Sequence, residues 1–575
     1  MPTSMKILAF HSGVHEASAA AFEDYRLIAA VSEERLNRVK GWGHAIPWLS
    51  VDEVLQIAGW SRNDVDAIVL TRGLFPTQYY RLPLRWDLKY AVDRRLGREQ
   101  IHRSMVTVAR RLGTTDSLSI FRSDRFLKEN SFRADTAVHF ANHHEAHALA
   151  ALFFTDWDEA LVYTSDGAGD NISYSMRGLR NGRLECFWGD DRQLLPFVPD
   201  SGLANAYGAA TIACGFRSLR HEGKLTGLAA YGQPEIADQL SALFRFEDDG
   251  QVRTDFKTWH EMYDAVIGIC KGHSRETIAA SIQKVVEDYT IRSLTFWLDC
   301  AKARRVAMAG GLFANVRLNR LIAETLPLDE VFIFPAMGDD GLSVGAALSF
   351  LMKRDGLATW LGRRRRLDDV YFGRDFGTRI DDCLGAMPGT RQLDGNPVDA
   401  ATELVIAGRA GAVFTARMEF GPRALGARSI IASPSDAAIN DNLNKRLDRS
   451  EFMPFAPYVL EEDAERVFEI TPVNRYAARF MTITCAVRPE WLRKIPAVVH
   501  VDGTARPQIV READNPLFAG ILRRFRDRTG LPVLINTSFN VHEEPIVNRP
   551  EECCKALADG RVDFVVTAKG VYVKI

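Results

Sequence analysis

Strand-like runs that alternate with helical ones constrain this chain more than any other feature. Residues 5–10, 26–31, 66–71, 159–165, 305–309 and 331–334 read as strands, and the later ones run into turns rich in glycine and aspartate. The first two read as a hairpin that precedes the charged string Ser32-Glu-Glu-Arg35. Ser50 is placed to cap a helix over 51–58, and a long amphipathic helix over 274–302 carries Ile278, Ile282, Val285 and Val286 on its core side. Such alternation argues an α/β fold, in which ligands gather outside the strand ends.

A chain of 575 residues exceeds what one hydrophobic core usually serves, so more than one domain is expected. The pattern changes at Gly362-Arg-Arg-Arg-Arg366, which reads as an exposed linker. The expected division is therefore 1–360, a linker over 361–371, and a second α/β unit over 372–575. In that unit a helix over 398–407 is closed by Gly408 and followed by a strand over 412–415. Polar clusters then sit on turns around 419–428, 445–457 and 500–506, and a strand over 532–535 leads into Asn536-Thr-Ser-Phe-Asn540. Together they predict one concave site.

Composition excludes several classes. A formal charge of −2 argues against a nucleic-acid binder, and no run approaches the roughly 18 apolar residues of a membrane span, so the expectation is a cytoplasmic protein. The eight cysteines show no CxxC pair, and the adjacent Cys553 and Cys554 fall in a helical stretch, so neither a zinc knuckle nor a disulfide framework is indicated.

Three of the thirteen histidines lie in Ala141-Asn-His-His-Glu-Ala-His-Ala-Leu-Ala150, at a helix start. Residues four apart share a helix face, so His143 and His147 can address one ion while His144 points elsewhere; a polar helix start with hydrogen-bonded histidines fits the same residues. HExxH is ruled out because His144 occupies the glutamate position. Two imidazoles need partners, and the aspartates that stand out on turns after strands are Asp166 and Asp339. Two histidines and two carboxylates suit a divalent iron, manganese or zinc with positions left open for a substrate oxygen. Glycine-rich turns at 166–170, 309–311 and 338–341 suit phosphate. Neither a dinucleotide fingerprint nor a P-loop occurs, and the turns look instead like the nucleotide clamp of actin, hexokinase and Hsp70.

In the second unit Arg423, Arg428, Arg449 and Arg506 recur in polar turns beside Lys445, Asn536 and Ser538. Guanidinium groups grip phosphates bidentately, so a converging set would hold a triphosphate or an acyl phosphate. The bland alternative is a network pairing these arginines with Glu419, Asp448, Glu451 and Glu544. The stretch 72–135 carries fourteen Lys/Arg against seven Asp/Glu, interleaved with Tyr79, Tyr80, Trp86 and Tyr90. It reads as a solvated, partly helical insertion, or else as a wall that meets the substrate.

Nearly end to end, the chain resembles the O-carbamoyltransferases of the NodU/CmcH type, which include the nebramycin and cephamycin enzymes. The blocks that carry the resemblance are His15-Glu-Ala-Ser-Ala-Ala20, Ser32-Glu-Glu-Arg35, the 143–147 histidines, Asp166-Gly167, Gly223-Lys-Leu-Thr-Gly-Leu-Ala229 and Ala309-Gly-Gly-Leu-Phe-Ala-Asn315. Further along they are Gly421-Pro-Arg-Ala-Leu-Gly426, Met453-Pro-Phe-Ala-Pro457, Asp502-Gly-Thr-Ala-Arg506 and Asn536-Thr-Ser-Phe-Asn540. The resemblance implies an N-terminal actin-like ATPase domain, similar to the tRNA threonylcarbamoyl transferase, and a C-terminal YrdC-like α/β domain. It implies that the C-terminal site joins carbamoyl phosphate and ATP (with Mg2+) into carbamoyl adenylate, and that the N-terminal site passes the carbamoyl group to a hydroxyl.

Carried over residue by residue, it makes His143, His147, Asp166 and Asp339 the ligands of an iron(II) ion, with manganese or zinc as substitutes, and His15 the general base; His11 is a second candidate base. Nucleotide contacts fall on Gly167, Lys224, Gly310, Gly311, Asn315 and Gly338 in the first domain. In the second they fall on Arg423, Arg428, Lys445, Arg449, Arg506, Asn536 and Ser538. The chain departs from the family pattern at His542, Ala427 and Asp448, where a lysine, an asparagine and a lysine are usual, which bears on the nucleotide contacts. The expected partners are ATP, carbamoyl phosphate and a small hydroxylated acceptor, a specialised metabolite or a sugar-containing molecule, with no nucleic acid and no membrane; a homodimer is the default assembly. The rival readings are an actin-like sugar kinase and a non-catalytic nucleotide-dependent scaffold.

Overall fold

The computed structural model describes residues 4–83, 102–196, 202–449 and 454–575, and Trp86, Tyr90, Glu451 and Met453 lie outside them. The fold is mixed α/β and is organised by three large sheets. The first is built from β1 (Lys6–His11), β2 (Ser18–Glu23), β3 (Arg26–Ser32), β4 (Ala67–Thr71) and β5 (Ala137–Ala141), in the order β3-β2-β1-β4-β5. The second uses β6 (Ala160–Gly169), β7 (Ile172–Arg180), β8 (Arg183–Trp188), β9 (Arg305–Ala309) and β10 (Glu330–Ile333), in the order β8-β7-β6-β9-β10. In both, the first three strands form an antiparallel meander and the last two join it in parallel. One topology is thus used twice.

Two helices fill the space between these sheets: α2 (His143–Phe153) and α4 (Leu342–Asp355), following α1 (Trp48–Ala58) and α3 (Arg275–Ala301) in chain order. Alanines on α2 and α4 pack with Ile7, Ala9, Val162 and Phe332 from the facing strands in one buried cluster. The two helices approach so closely at Gly345 that a Cβ there would sit 1.8 Å from the Ala146 carbonyl oxygen. The third sheet comprises β11 (Thr390–Gln392), β12 (Gly411–Phe414), β13 (Arg428–Ala432), β14 (Ala456–Leu460), β15 (Gln508–Val510), β16 (Val533–Ser538), β17 (Phe564–Val566) and β18 (Val571–Lys574). Its order is β11-β18-β17-β12-β13-β16-β14-β15.

Several local expectations are corrected. The hairpin between 5–10 and 26–31 does not form, because β2 lies between those strands and pairs with both. Its sequence, Ser-Ala-Ala-Ala-Phe-Glu, is buried on both faces, so it shows neither the alternation nor the β-branched residues that mark a half-exposed strand. Helix α1 starts at Trp48 after Pro47, and Ser50 is inside it; the Ser50 amide donates to the Glu33 carboxylate at 2.7 Å, so Glu33 supplies the acceptor expected of a serine cap. Within 72–135, Tyr79 and Tyr80 are neither solvated nor a wall: they pack with Phe75, Phe121 and Phe126 in the core. In the arginine run Gly362, Arg363 and Arg365 are exposed, whereas Arg364 and Arg366 are tied to the first half. Arg366 bonds Glu330 with both terminal nitrogens and Asp156 with Nε, and Arg364 donates to the Trp157 carbonyl.

The two halves share their interior. One buried cluster joins Val331 and Ile333 to Phe468 and Ala477, and another joins Phe332 and Phe334 to Phe420, Tyr476 and Phe480. Arg35, from the Ser32–Arg35 block, donates to the Gly421 carbonyl, and Arg38 reaches the carbonyls of Pro545 and Ile546. Among the described residues no helix is long and apolar enough to cross a membrane.

Candidate metal centre and phosphate sites

Asn142 starts α2: its side chain accepts the Glu145 amide, which leaves His143 and His147 one turn apart on one face. Asp166 comes from the end of β6, and Asp339 from the turn that enters α4 after β10. All four side chains are buried, and their donor atoms lie within 4.8 Å of one another. His147 Nε2 is 3.1 Å from Asp166 Oδ2 and 3.5 Å from Asp339 Oδ1; His143 Nε2 is 3.6 Å from each of those oxygens. A cation held at about 2.1 Å by four donors sets neighbouring ones about 3.0 to 3.4 Å apart, close to these imidazole–carboxylate distances of 3.1 to 3.6 Å.

Two further observations support a cation here. His143 Nε2 and Asp339 Oδ1 are buried without a hydrogen-bond partner, the state of donor atoms arranged for a ligand. Charge agrees as well. Burial and mutual repulsion oppose ionisation of Asp166, yet the adjoining imidazoles hold its pKa below the ordinary value, and Asp339 is likewise held well below. Two carboxylates beside two neutral imidazoles would balance the charge of a dication. His144 is different: Nδ1 meets the Thr164 hydroxyl at 2.8 Å and Nε2 the Ile172 carbonyl at 3.1 Å, so both ring nitrogens serve the fold.

The loop after Asp166 wraps the ring of His143 so tightly that a Cβ on Gly169 would fall 2.1 Å from the His143 ring. His15 stands at the open side, its Nε2 3.8 Å from Asp339 Oδ2 and its Nδ1 3.7 Å from Glu16. Burial disfavours the charged His15 ring, but the Asp339 and Glu16 carboxylates outweigh it and raise the pKa to about 10. His11 is buried deeper, with Nδ1 against the Thr71 hydroxyl and Nε2 3.4 Å from Asp339; burial lowers its pKa. Glu16, whose carboxylate accepts the Asp339 amide at 3.0 Å, carried no sequence signal of its own.

Gly167, Gly310, Gly311 and Gly338 surround the four donors: Asp166 adjoins the first and lies 3.2 Å from a Cβ built on Gly311. Gly310 follows β9, and Gly338 leads into the turn that holds Asp339. Asn315 caps the helix Val316–Thr325 and exchanges hydrogen bonds with Gln283, so its side chain has a structural partner on α3. Lys224 is buried in the short helix Glu222–Leu228.

In the C-terminal half the residues of the expected set have different surroundings. Arg449 bonds the Thr537 hydroxyl, Ser538 and Asn540, which unites Arg449 with Ser538 at the end of β16. Asn536, buried two residues earlier, donates to Gln508 and to the Ala424 carbonyl beside Arg423. Arg428 is different: it is wholly buried, donates to the carbonyls of Thr415, Ala416 and Ala427, and lies 3.7 Å over the Phe414 ring. Burial lowers its pKa to about 10. Lys445 is exposed on the helix Ala438–Arg446, and Arg506 follows the short strand Thr504–Ala505. The acids expected as arginine partners serve elsewhere: Glu419 accepts the amides of Leu425, Ala427 and Arg428, and Asp448 pairs with Arg561. At the departures from the family pattern, Ala427 is buried, and His542 lies beside His221 and Glu543.

The family model described as "Carbamoyltransferase N-terminus" matches residues 6–348, and the one described as "Carbamoyltransferase C-terminus" matches residues 402–574. The nodulation protein NolNO of Sinorhizobium fredii is 31% identical over 96% of this chain and 77% of its own length. An uncharacterized protein of Methanocaldococcus jannaschii is 33% identical over 75% of this chain and 73% of its own. Among solved structures, component A of the (R)-2-hydroxyglutaryl-CoA dehydratase of Acidaminococcus fermentans aligns with a TM-score of 0.35 at 15% identity, over 61% of this chain and 99% of that one.

Proposed function

The chain belongs to the carbamoyltransferase family, and from that premise we propose that it is an ATP-dependent O-carbamoyltransferase that works in two steps at two sites. Residues 1–360 form an actin-like transfer domain, 361–371 a connector, and 372–575 a YrdC-like domain that makes carbamoyl adenylate. The twice-used sheet order, with a helix pair between the sheets, supports the first assignment. The observation that carries the reading is the buried four-donor cluster with His15 beside it.

In the first step water cleaves carbamoyl phosphate to carbamate and inorganic phosphate, and a carbamate oxygen then attacks the α-phosphorus of ATP, giving carbamoyl adenylate and releasing pyrophosphate. Arg449, Arg423 and Arg506, with Lys445, Asn536 and Ser538, are the groups for the phosphates. Arg428 acts behind them by fixing the loop that presents Arg423. In the second step an acceptor hydroxyl attacks the carbamoyl carbon and AMP leaves. A carbamoyl carbon is a poor electrophile, because its nitrogen donates electrons, so a phosphate leaving group lowers the barrier.

His143, His147, Asp166 and Asp339 would hold a divalent ion, iron(II) in the first place, and its Lewis acidity would polarise a phosphate or carbamoyl oxygen. His15 is the base. Its Nε2, 3.8 Å from Asp339 on the open side of the four donors, is the nitrogen placed to take the proton of the acceptor hydroxyl. The glycine turns with Gly167, Gly310, Gly311 and Gly338, together with Lys224 and Asn315, line the nucleotide side of this centre. The acceptor is a small hydroxylated molecule.

Pyrophosphate release tests the first step. Supplied with ATP, Mg2+ and carbamoyl phosphate, the protein should release pyrophosphate only when carbamoyl phosphate is present. A folded, metal-loaded preparation that releases none would remove the adenylate from the scheme.

A further inference from the structure

Arg72 follows β4 on the first sheet, and its side chain is 4% exposed. Its guanidinium crosses to the second sheet's connections, where Nη1 donates to Asp170 at 2.7 Å and to Asp191 at 2.7 Å, and Nη2 donates to Asp191 at 2.6 Å. Nε is held by the Ser117 hydroxyl at 3.0 Å. Burial opposes the charge, but the two carboxylates outweigh it and raise the Arg72 pKa above its ordinary value. Both carboxylates act on the start of α2. The Asp170 oxygen that meets Arg72 also accepts the backbone amide of His143 at 2.9 Å, and Asp191 accepts the Asn142 side-chain amide at 2.9 Å. Asn142 in turn caps α2 through the Glu145 amide.

We propose that Arg72 is a positioning residue for the metal centre: by clamping Asp170 and Asp191 it fixes the first turn of α2, and with it the donor nitrogens of His143 and His147. The inference rests on the metal-dependent reading of the preceding subsection. Asp170 lies four residues after Asp166 on the loop that wraps the His143 ring, so the same clamp also sets the third donor. Arginine suits the task because its planar fork spans two carboxylates at once, and its charge is permanent. Without it Asp170 would be a buried, uncompensated carboxylate beside the four donors. Supporting groups of this kind typically contribute 10- to 100-fold in metal affinity.

The experiment is a titration of metal-free protein with Fe2+ under anaerobic conditions and, separately, with Mn2+, reading half-saturation and stoichiometry alongside the melt of the metal-free form. Arg72→Gln is expected to shift half-saturation upward by about 10- to 100-fold, and Arg72→Lys, which keeps the charge but loses the fork, by an intermediate amount. A merely structural role would lower the melting temperature and leave half-saturation within threefold of the parent in both variants, which would overturn the proposal. Should Arg72→Gln fail to fold, Asp191→Asn, which leaves the Arg72–Asp170 pair in place, carries the same threshold. A parent protein that binds neither ion at stoichiometry sinks the metal reading itself; a parent that binds beside unchanged variants sinks only the role of Arg72.

Discussion

Replacing Asp339 by alanine separates the two steps assigned to this chain. The side chain can be removed with little harm to the fold: Oδ1 has no hydrogen-bond partner, and the contact that fixes the turn, from the backbone amide to Glu16, stays. What is lost is one of four donors and one of two negative charges. Since outer supporting groups contribute up to about 100-fold in affinity, loss of a direct donor should cost at least about 100-fold. A ligand present at 100 times its dissociation constant stabilises the folded state by about 2.7 kcal/mol; after a 100-fold loss of affinity the same concentration contributes only about 0.4 kcal/mol. Thermal melts with and without Fe2+ or Mn2+ would read this directly, and the metal-induced shift should nearly vanish in Asp339→Ala. Carbamoyl transfer should collapse in the same variant, while pyrophosphate release from ATP and carbamoyl phosphate continues. Retained stoichiometric metal would refute the ligand assignment, and pyrophosphate release falling in step with transfer would refute the division between the sites.

Two further outcomes follow from the C-terminal half. Arg428→Ala removes a wholly buried guanidinium that donates to the carbonyls of Thr415, Ala416 and Ala427 and should cost about 1 to 3 kcal/mol, read as a lower urea midpoint; an unchanged midpoint with a tenfold higher KM for ATP would instead make Arg428 a phosphate ligand. His500, whose pKa is lowered to about 4 by burial and by the nearby Arg506 charge, is neutral in the folded chain. Its folded form binds fewer protons than its unfolded form between about pH 6.5 and 4, so stability is whole above that window and falls as the pH drops through it, by at most about 3 kcal/mol. Urea midpoints at pH 7.5 and pH 5 should therefore differ less in His500→Gln than in the parent.

The four clustered side chains were legible because each obeys a local rule: His143 and His147 follow helix spacing, and Asp166 and Asp339 sit in aspartate–glycine turns after strands. Their support was not. Arg72 meets Asp170 and Asp191 across 98 and 119 residues, and nothing in a charge-rich stretch distinguishes the one arginine that turns inward. Nor is the setting of Arg428 readable, since the chemistry that suits a guanidinium to phosphate also lets it donate to several carbonyls of the turn between β12 and β13. Strand β2 escaped notice because alanines on both faces leave no period to read, whereas α3 announced itself through a 27-residue pattern and Ser274 at its cap.

The interior shared between the two halves bears on how the enzyme can be taken apart. Phe332 stacks on Tyr476 at 4.4 Å, and the Tyr476 hydroxyl donates to the Phe154 carbonyl at 2.7 Å, so a cut near residue 365 would leave each fragment with a raw apolar wound. Neither half expressed alone is a fair surrogate for its own reaction: a silent fragment would report misfolding as readily as missing chemistry. Assigning each reaction to its site therefore calls for single substitutions in the intact chain.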